Sequence, residues 1–256
     1  MNTVSRRCLP LVVVLIGLIS FTSATEAADW GTLTGKFVYE GSVPTPSKIK
    51  VTADANVCGK PPALVDESLV VGKNGGLANV LVYVRSRKPK INPALTKKPE
   101  KMAEVDNKHC RFDPHVLALF VDHSLLLKNS DPVAHNINIQ PIGGVPLNPL
   151  MPSGQEVKHK FTRAQRIPVP VQCNIHPWMK GYILPCRNPY FAVSAADGTF
   201  TIKGLPLGEK LEFQAWHEKV GYLQAPKWKK GRFKMKLDKA ETDLGTIRLP
   251  AALFKK

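Results

Sequence analysis

Several things are scarce in this chain, and each scarcity removes a class of explanation. Past residue 21 no apolar run is long enough to cross a bilayer, because charges and prolines interrupt every one. Aromatic residues make up 7% of the 256 positions, and neither internal repeats nor heptads can be found, which excludes solenoids and coiled coils. Acidic residues are few, 20 against 36 Lys and Arg, leaving a formal net charge of +16. So basic a chain points to anionic partners: an acidic redox protein, a lipid headgroup surface, an acidic wall polymer or glycan. The Gly-x-Ser-x-Gly, His-Glu-x-x-His and phosphate-loop signatures are all missing, so catalysis is not expected. Cysteine is limited to five residues, one of them, Cys8, ahead of the first apolar run.

What is present begins with an export pattern. Arg6 and Arg7 precede an apolar stretch over 9–21 and a small-residue run over 22–28. That order reads as a signal peptide occupying 1–27 and implies a periplasmic, secreted or cell-surface location. The apolar stretch is shorter than the roughly 20 residues of a membrane-spanning helix, and no transmembrane segment is expected once it is removed. In an oxidising compartment Cys58, Cys110, Cys173 and Cys186 tend to pair. Sequence alone does not fix how. A Cys58–Cys110 bridge, stapling two blocks of strands, is the expected pairing, and Cys173–Cys186 is its competitor.

The 22 prolines disfavour long helices, and the apolar pattern is that of short strands. Residues 32–39 alternate. Stretches 68–71 and 78–84 flank Asn74-Gly75-Gly76, and 190–194 and 199–203 flank Ala196-Asp197-Gly198, so both pairs read as hairpins. Residues 86–101 are rich in Lys and Pro and read as a linker. Further strands are expected at 116–121, 124–128, 135–139, 157–161, 167–172, 181–184, 211–216 and 244–249.

The chemistry concentrates in Cys173-Asn174-Ile175-His176-Pro177-Trp178-Met179. A thiolate, an imidazole and a thioether three residues apart, on a loop between strands, form a soft donor set that selects copper. The second imidazole must come from elsewhere, and His135, opening an apolar strand after Asn129-Ser130-Asp131-Pro132, is the candidate. His115 is a weaker candidate. His109, His123 and His159 lack metal spacing and read as solvated. Trp216-His217-Glu218 reads as a structural corner. Residues 227–234, where Lys and Arg alternate with Trp228 and Phe233, read as a solvated basic edge strand and not as a nucleic-acid surface.

In its order of motifs the chain resembles the cupredoxins, specifically plastocyanins and amicyanins. The residues that carry this are Phe112-Asp113-Pro114, Asn129-Ser130-Asp131, His135-Asn136 and Cys173-x-x-His176-x-x-Met179. The likeness covers residues 104 to 184, a third of the chain. It implies one type 1 (blue) copper held by His135, Cys173, His176 and an axial Met179, with Asn136 tying the ligand loops together and Pro177 restricting His176. Copper oxidases and nitrite reductases of this kind place a His beside the ligand Cys. Here Gln172 and Asn174 flank Cys173, so electron carriage is expected instead. Cys186 has no counterpart in the pattern. The flanking segments, through residues 32–41 and Asp197-Gly198-x-Phe200-x-Ile202-x-Gly204-Leu205-Pro206-x-Gly208, resemble the carboxypeptidase regulatory-like, transthyretin-like sandwich. The expected organisation is therefore all-β: a Greek-key cupredoxin sandwich over 104–185, inserted in or packed against a second small sandwich made of 28–103 and 186–256. If copper is only structural, the alternative role is a non-catalytic glycan- or protein-binding module.

Overall fold

The computed structural model describes residues 29–255. The expected signal segment lies outside them. Among the described residues no helix is long and apolar enough to cross a membrane, and the fold is all-β.

Four sheets stack as two sandwiches placed back to back. The outermost sheet centres on Trp30–Glu40, antiparallel to Thr199–Pro206 and parallel to Glu241–Pro250. Its alternating burial follows the strand period, so Leu33, Phe37 and Tyr39 point into one core. Facing it is a sheet in the order Phe191–Val193, Leu81–Val84, Lys210–His217 and Gly221–Tyr222, with Arg232–Lys236 also paired to Lys210–His217. In the second sandwich, Glu156–His159, Leu125–Asn129, Ala103–Lys108 and Arg111–Asp113 form one sheet. Val116–Phe120, Lys180–Cys186, Val169–Gln172 and Asn138–Ile139 form the other.

The two inner sheets are buried on both faces, which explains their unbroken apolar runs. Val82 and Val84 face the first core, whereas Leu81 and Tyr83 meet Val116, Ala118, Leu184 and Trp216 in an apolar layer between the sandwiches. Cys186 lies in that same layer, while Cys173 lies in the core of the second sandwich. Placement on different layers keeps the two thiols apart, and both are free.

Local expectations needed correction where the chain changes sheets. Asp197-Gly198 does turn tightly, with Gly198 N–H donating to the Ala195 carbonyl at 2.8 Å. Yet the strands on either side join different sheets. The turn is an arch between layers and not a hairpin. Gly198 has φ 85°, and a Cβ there would lie 2.0 Å from the Phe37 carbonyl oxygen, so only glycine lets the arch sit this close. Asn74-Gly75 does close a short antiparallel hairpin, with Val71 bridging Leu77, Gly72 N–H to Gly76 O (2.8 Å) and Ala78 N–H to Val70 O (3.0 Å), but the pairing goes no further. The expected strand 135–139 breaks at Ile137. His135–Asn136 pairs with Leu150–Met151, and Asn138–Ile139 pairs with Val169–Gln172. Ala103–Lys108 has no readable apolar period, because its partner Leu125–Asn129 and its buried Asp106 and Asn107 hold it in place.

Residues 47–66 form a loop closed at its base by Ile49 N–H to Leu64 O (2.9 Å) and Asp66 N–H to Ser47 O (2.8 Å). Its side chains Ile49, Val51, Val57 and Leu64 pack on the core of the second sandwich, not the first. Cys58 and Cys110 form a disulfide. It does not staple the two strand blocks as expected. Both cysteines belong to the second core, so the bridge fastens this strap onto the second sandwich.

The bridge closes a loop over a separation of 52 residues, so chain entropy alone gives it roughly 4 kcal/mol. Replacing Cys58 and Cys110 together by Ala is expected to lower the unfolding free energy by about 2–4 kcal/mol in denaturant titration. His217 is almost wholly buried, and burial depresses it from 6.5 to about 4. The unfolded chain therefore takes up the proton first, and stability falls as pH drops from about 6.5 towards 4. The total loss should be roughly 3 kcal/mol, and His217→Gln should flatten that limb of the stability–pH curve.

Candidate metal centre

The Asn-rich turn aims the first imidazole. Asn129 donates its amide to the Val133 and Met151 carbonyls at 2.8 and 2.7 Å, and accepts the Asp131 N–H at 3.0 Å. Asp131, so held, accepts the backbone N–H of His109 at 2.7 Å and of Cys110 at 2.8 Å. Its Oδ2 lies 3.0 Å from His135 Nε2. Burial pushes the Asp131 carboxyl up, but bonds from His135, Cys110 and His109 outweigh it and hold the group below its usual value. An anionic Asp131 holds the Nε2 proton of His135, so Nδ1 is the nitrogen turned to Cys173 and left for a metal. That Nδ1 is 4.0 Å from Cys173 Sγ.

The 173–179 loop supplies the rest. It joins Val169–Gln172 to Lys180–Cys186, which pair antiparallel. Cys173 N–H reaches the Met179 carbonyl at 3.3 Å, and Met179 N–H reaches the His176 carbonyl at 2.8 Å across the exposed Pro177. His176 N–H points at Cys173 Sγ, 3.4 Å away. His176 Nδ1 lies 3.8 Å from the same sulfur, and its Nε2 lies 2.9 Å from Asp54 Oδ2. The donor atoms of His135, Cys173 and His176 thus lie within 4.8 Å of one another. Both imidazoles have 0% exposure, Cys173 has 3% and Met179 has 1%.

Asn136 joins the two halves of the centre. Its Oδ1 accepts Asn174 N–H at 2.7 Å and sits 3.4 Å from Cys173 Sγ, while its amide donates to Asn148 at 2.6 Å. Trp178 lies tilted against the His176 ring, centroids 5.0 Å apart, and donates to the Cys110 carbonyl at 3.2 Å.

The electrostatics favour a thiolate. Burial raises the Cys173 thiol, but hydrogen bonds from His135, the Asn136 backbone and His176 bring it down to about 6. Burial lowers His135, but Asp131 and Cys173 bring it up to about 8. Without an ion, Cys173 is therefore a thiolate facing a protonated His135; once an ion displaces the Nδ1 proton, two imidazole nitrogens, the thiolate and a buried methionine at the loop end form a dry, soft donor set. That chemistry suits a copper ion. A second close grouping, Cys110, Asp131 and His135, includes a disulfide sulfur and offers no thiolate.

The other sequence candidates lie elsewhere. His115 pairs with Glu218 at 2.6 Å at the junction of the sandwiches, 3.9 Å from Glu67. His123 and His159 are not solvated as expected: each is half-buried against Phe120 or Phe161. Trp216 packs at a tilt against Tyr182, a corner of the inter-sandwich layer. Trp228 and Phe233 stack on each other at 4.3 Å and face the first core, leaving the neighbouring lysines outside. Two carboxylates on the imidazoles escaped sequence reasoning. Asp131 could have been found four residues before His135, but nothing near Asp54 announces its role.

The two facing four-stranded sheets, with the donor loop between the last two strands, have a recognisable plan. The second sandwich is cupredoxin-like. No protein-family model matches the chain, and no curated protein matches it. Solved structures that are similar include a copper-containing nitrite reductase from Thermus scotoductus SA-01, 23% identical over 38% of this chain, with a TM-score of 0.32. The chain spans only 27% of that reductase. A purple cupredoxin from Nitrosopumilus maritimus is 23% identical over 32% of this chain and 98% of its own, with a TM-score of 0.27. A reduced amicyanin is 20% identical over 41% of this chain and 97% of its own, with a TM-score of 0.30. The cupredoxin-like description rests on the strand order and donor geometry of this chain itself.

The depressed thiol gives a direct check on the metal-free protein. Ultraviolet thiolate absorbance should appear with a midpoint near pH 6, well below the ordinary 9.0, and Cys173→Ser should abolish it. A midpoint above 8 would contradict the hydrogen-bonded sulfur described here.

Proposed function

We propose that the chain is an exported type 1 copper protein that carries single electrons between redox partners. What carries the reading is the convergence of two carboxylate-backed imidazoles on one buried, hydrogen-bonded cysteine. His135, Cys173 and His176 would hold the ion in a trigonal plane, with Met179 as the weak axial donor. Bound there, copper supplies a one-electron couple. The protein's part is to keep the donors fixed and dry: Asn136 locks the loops, Met179 closes the ligand loop, and Trp178 shields His176. Little then moves when the charge changes, and little reorganisation means fast transfer.

Electron carriage is favoured over catalysis by the neighbours of Cys173. Gln172 and Asn174 offer no imidazole to a second metal, and Asn174 is engaged by Asn136. Ile175, next to the ligands, is 39% exposed, and Leu150, paired in register with Asn136, is 61% exposed. A partner can therefore approach within a few bonds of Cys173 on this face. The net charge of +16 suits an acidic redox protein. A periplasmic, secreted or cell-surface location is consistent with the export pattern at the start of the sequence and with a disulfide.

A visible absorption spectrum of the Cu(II)-loaded protein, with Cys173→Ser alongside, tests this. An intense thiolate-to-copper band that vanishes in the variant is the expected result. A colourless protein would overturn the assignment and leave the first sandwich, as a glycan- or protein-binding module, to account for the function.

A further inference from the structure

Asp54 is oddly employed. It occupies the N-cap position of the short helix Ala55–Cys58 with a left-handed backbone, φ 46° and ψ 43°, yet its side chain caps nothing in that helix. An aspartate in this position ordinarily bonds the free N–H groups of its own helix, and a non-glycine residue in this conformation persists only where its surroundings impose it. Here the carboxylate is turned away, onto His176 Nε2 at 2.9 Å. The helix ends in Cys58, whose disulfide partner Cys110 donates its N–H to Asp131, the carboxylate on the other imidazole. One covalent bridge thus mounts both carboxylates, and the strap it anchors leaves His176 with 0% exposure.

We propose that Asp54 is a positioning residue that holds His176 from the strap and biases the metal centre towards its oxidised ion. This rests on the copper reading above. The carboxylate engages Nε2, leaves Nδ1 as the metal donor, and by orienting the ring and placing negative charge behind it strengthens that donor. A stronger donor and a nearby negative charge both stabilise the higher metal charge, so the reduction potential is lowered. The same contact seals the His176 edge, which leaves the Ile175 face for electron exchange.

The test is the reduction potential of the copper-loaded protein and of Asp54→Asn and Asp54→Ala. Glu40→Gln, an exposed loss of charge in the first sandwich, serves as the control. Asn keeps an oxygen acceptor and removes the charge, whereas Ala removes both. Both Asp54 variants should keep the thiolate-to-copper band and favour the reduced ion by about tenfold, ~59 mV for one electron. Glu40→Gln should not move the potential. Asp54 variants within about twofold of wild type would overturn the inference while leaving the copper assignment standing. Absence of the band from the wild-type protein would overturn both.

Discussion

Leaving a nitrogen of a fully buried imidazole unpaired is costly, and that cost organises the neighbourhood of the centre. His135 and His176 have no solvent exposure, so each Nε2 needs an acceptor from the protein. The fold supplies a carboxylate to each: Asp131 from the turn just before His135, and Asp54 from a strap far upstream. Once both Nε2 atoms are engaged, Nδ1 of each ring is the nitrogen left facing Cys173. The geometry of the donor set is therefore a consequence of satisfying its outer side.

Cys110 is where these demands meet. Its sulfur holds the strap, its N–H bonds Asp131, and its carbonyl receives Trp178. The adjoining left-handed residues His109 and Cys110, φ 53° and 52°, make the turn that presents both backbone N–H groups to one carboxylate. Rigidity at the centre comes from this one corner as much as from the ligand loop, and it is covalent. The first sandwich contributes at a distance. Its inner sheet buries the outer face of Val116–Phe120 and Lys180–Cys186, so the strand that leaves the ligand loop is clamped on both sides.

Much of this was legible in the residues. Cys173, His176 and Met179 are close in sequence, and a loop between two apolar strands brings them together whatever the rest of the chain does. The turn before His135 was readable from Asn129 and Pro132. Strands with clean alternation, such as Trp30–Glu40, emerged where expected. The hairpin at Asp197-Gly198 did not. Turn residues such as Asp197-Gly198 specify a reversal of direction, but whether the next strand pairs with the last or crosses to another sheet depends on which apolar face is left to cover. Ala103–Lys108 was invisible because its pairing partner, not its own pattern, makes it a strand.

By itself the sequence determined the donor types, their spacing and the β-rich class, because these depend on side-chain chemistry and short-range periodicity. Tertiary structure alone decided which sandwich the Cys58–Cys110 bridge fastens, the isolation of Cys186, and the arrival of Asp54 at His176. Each joins or separates residues distant in the chain, and the energy that selects it comes from burial in a shared core. Local pattern carries no record of that.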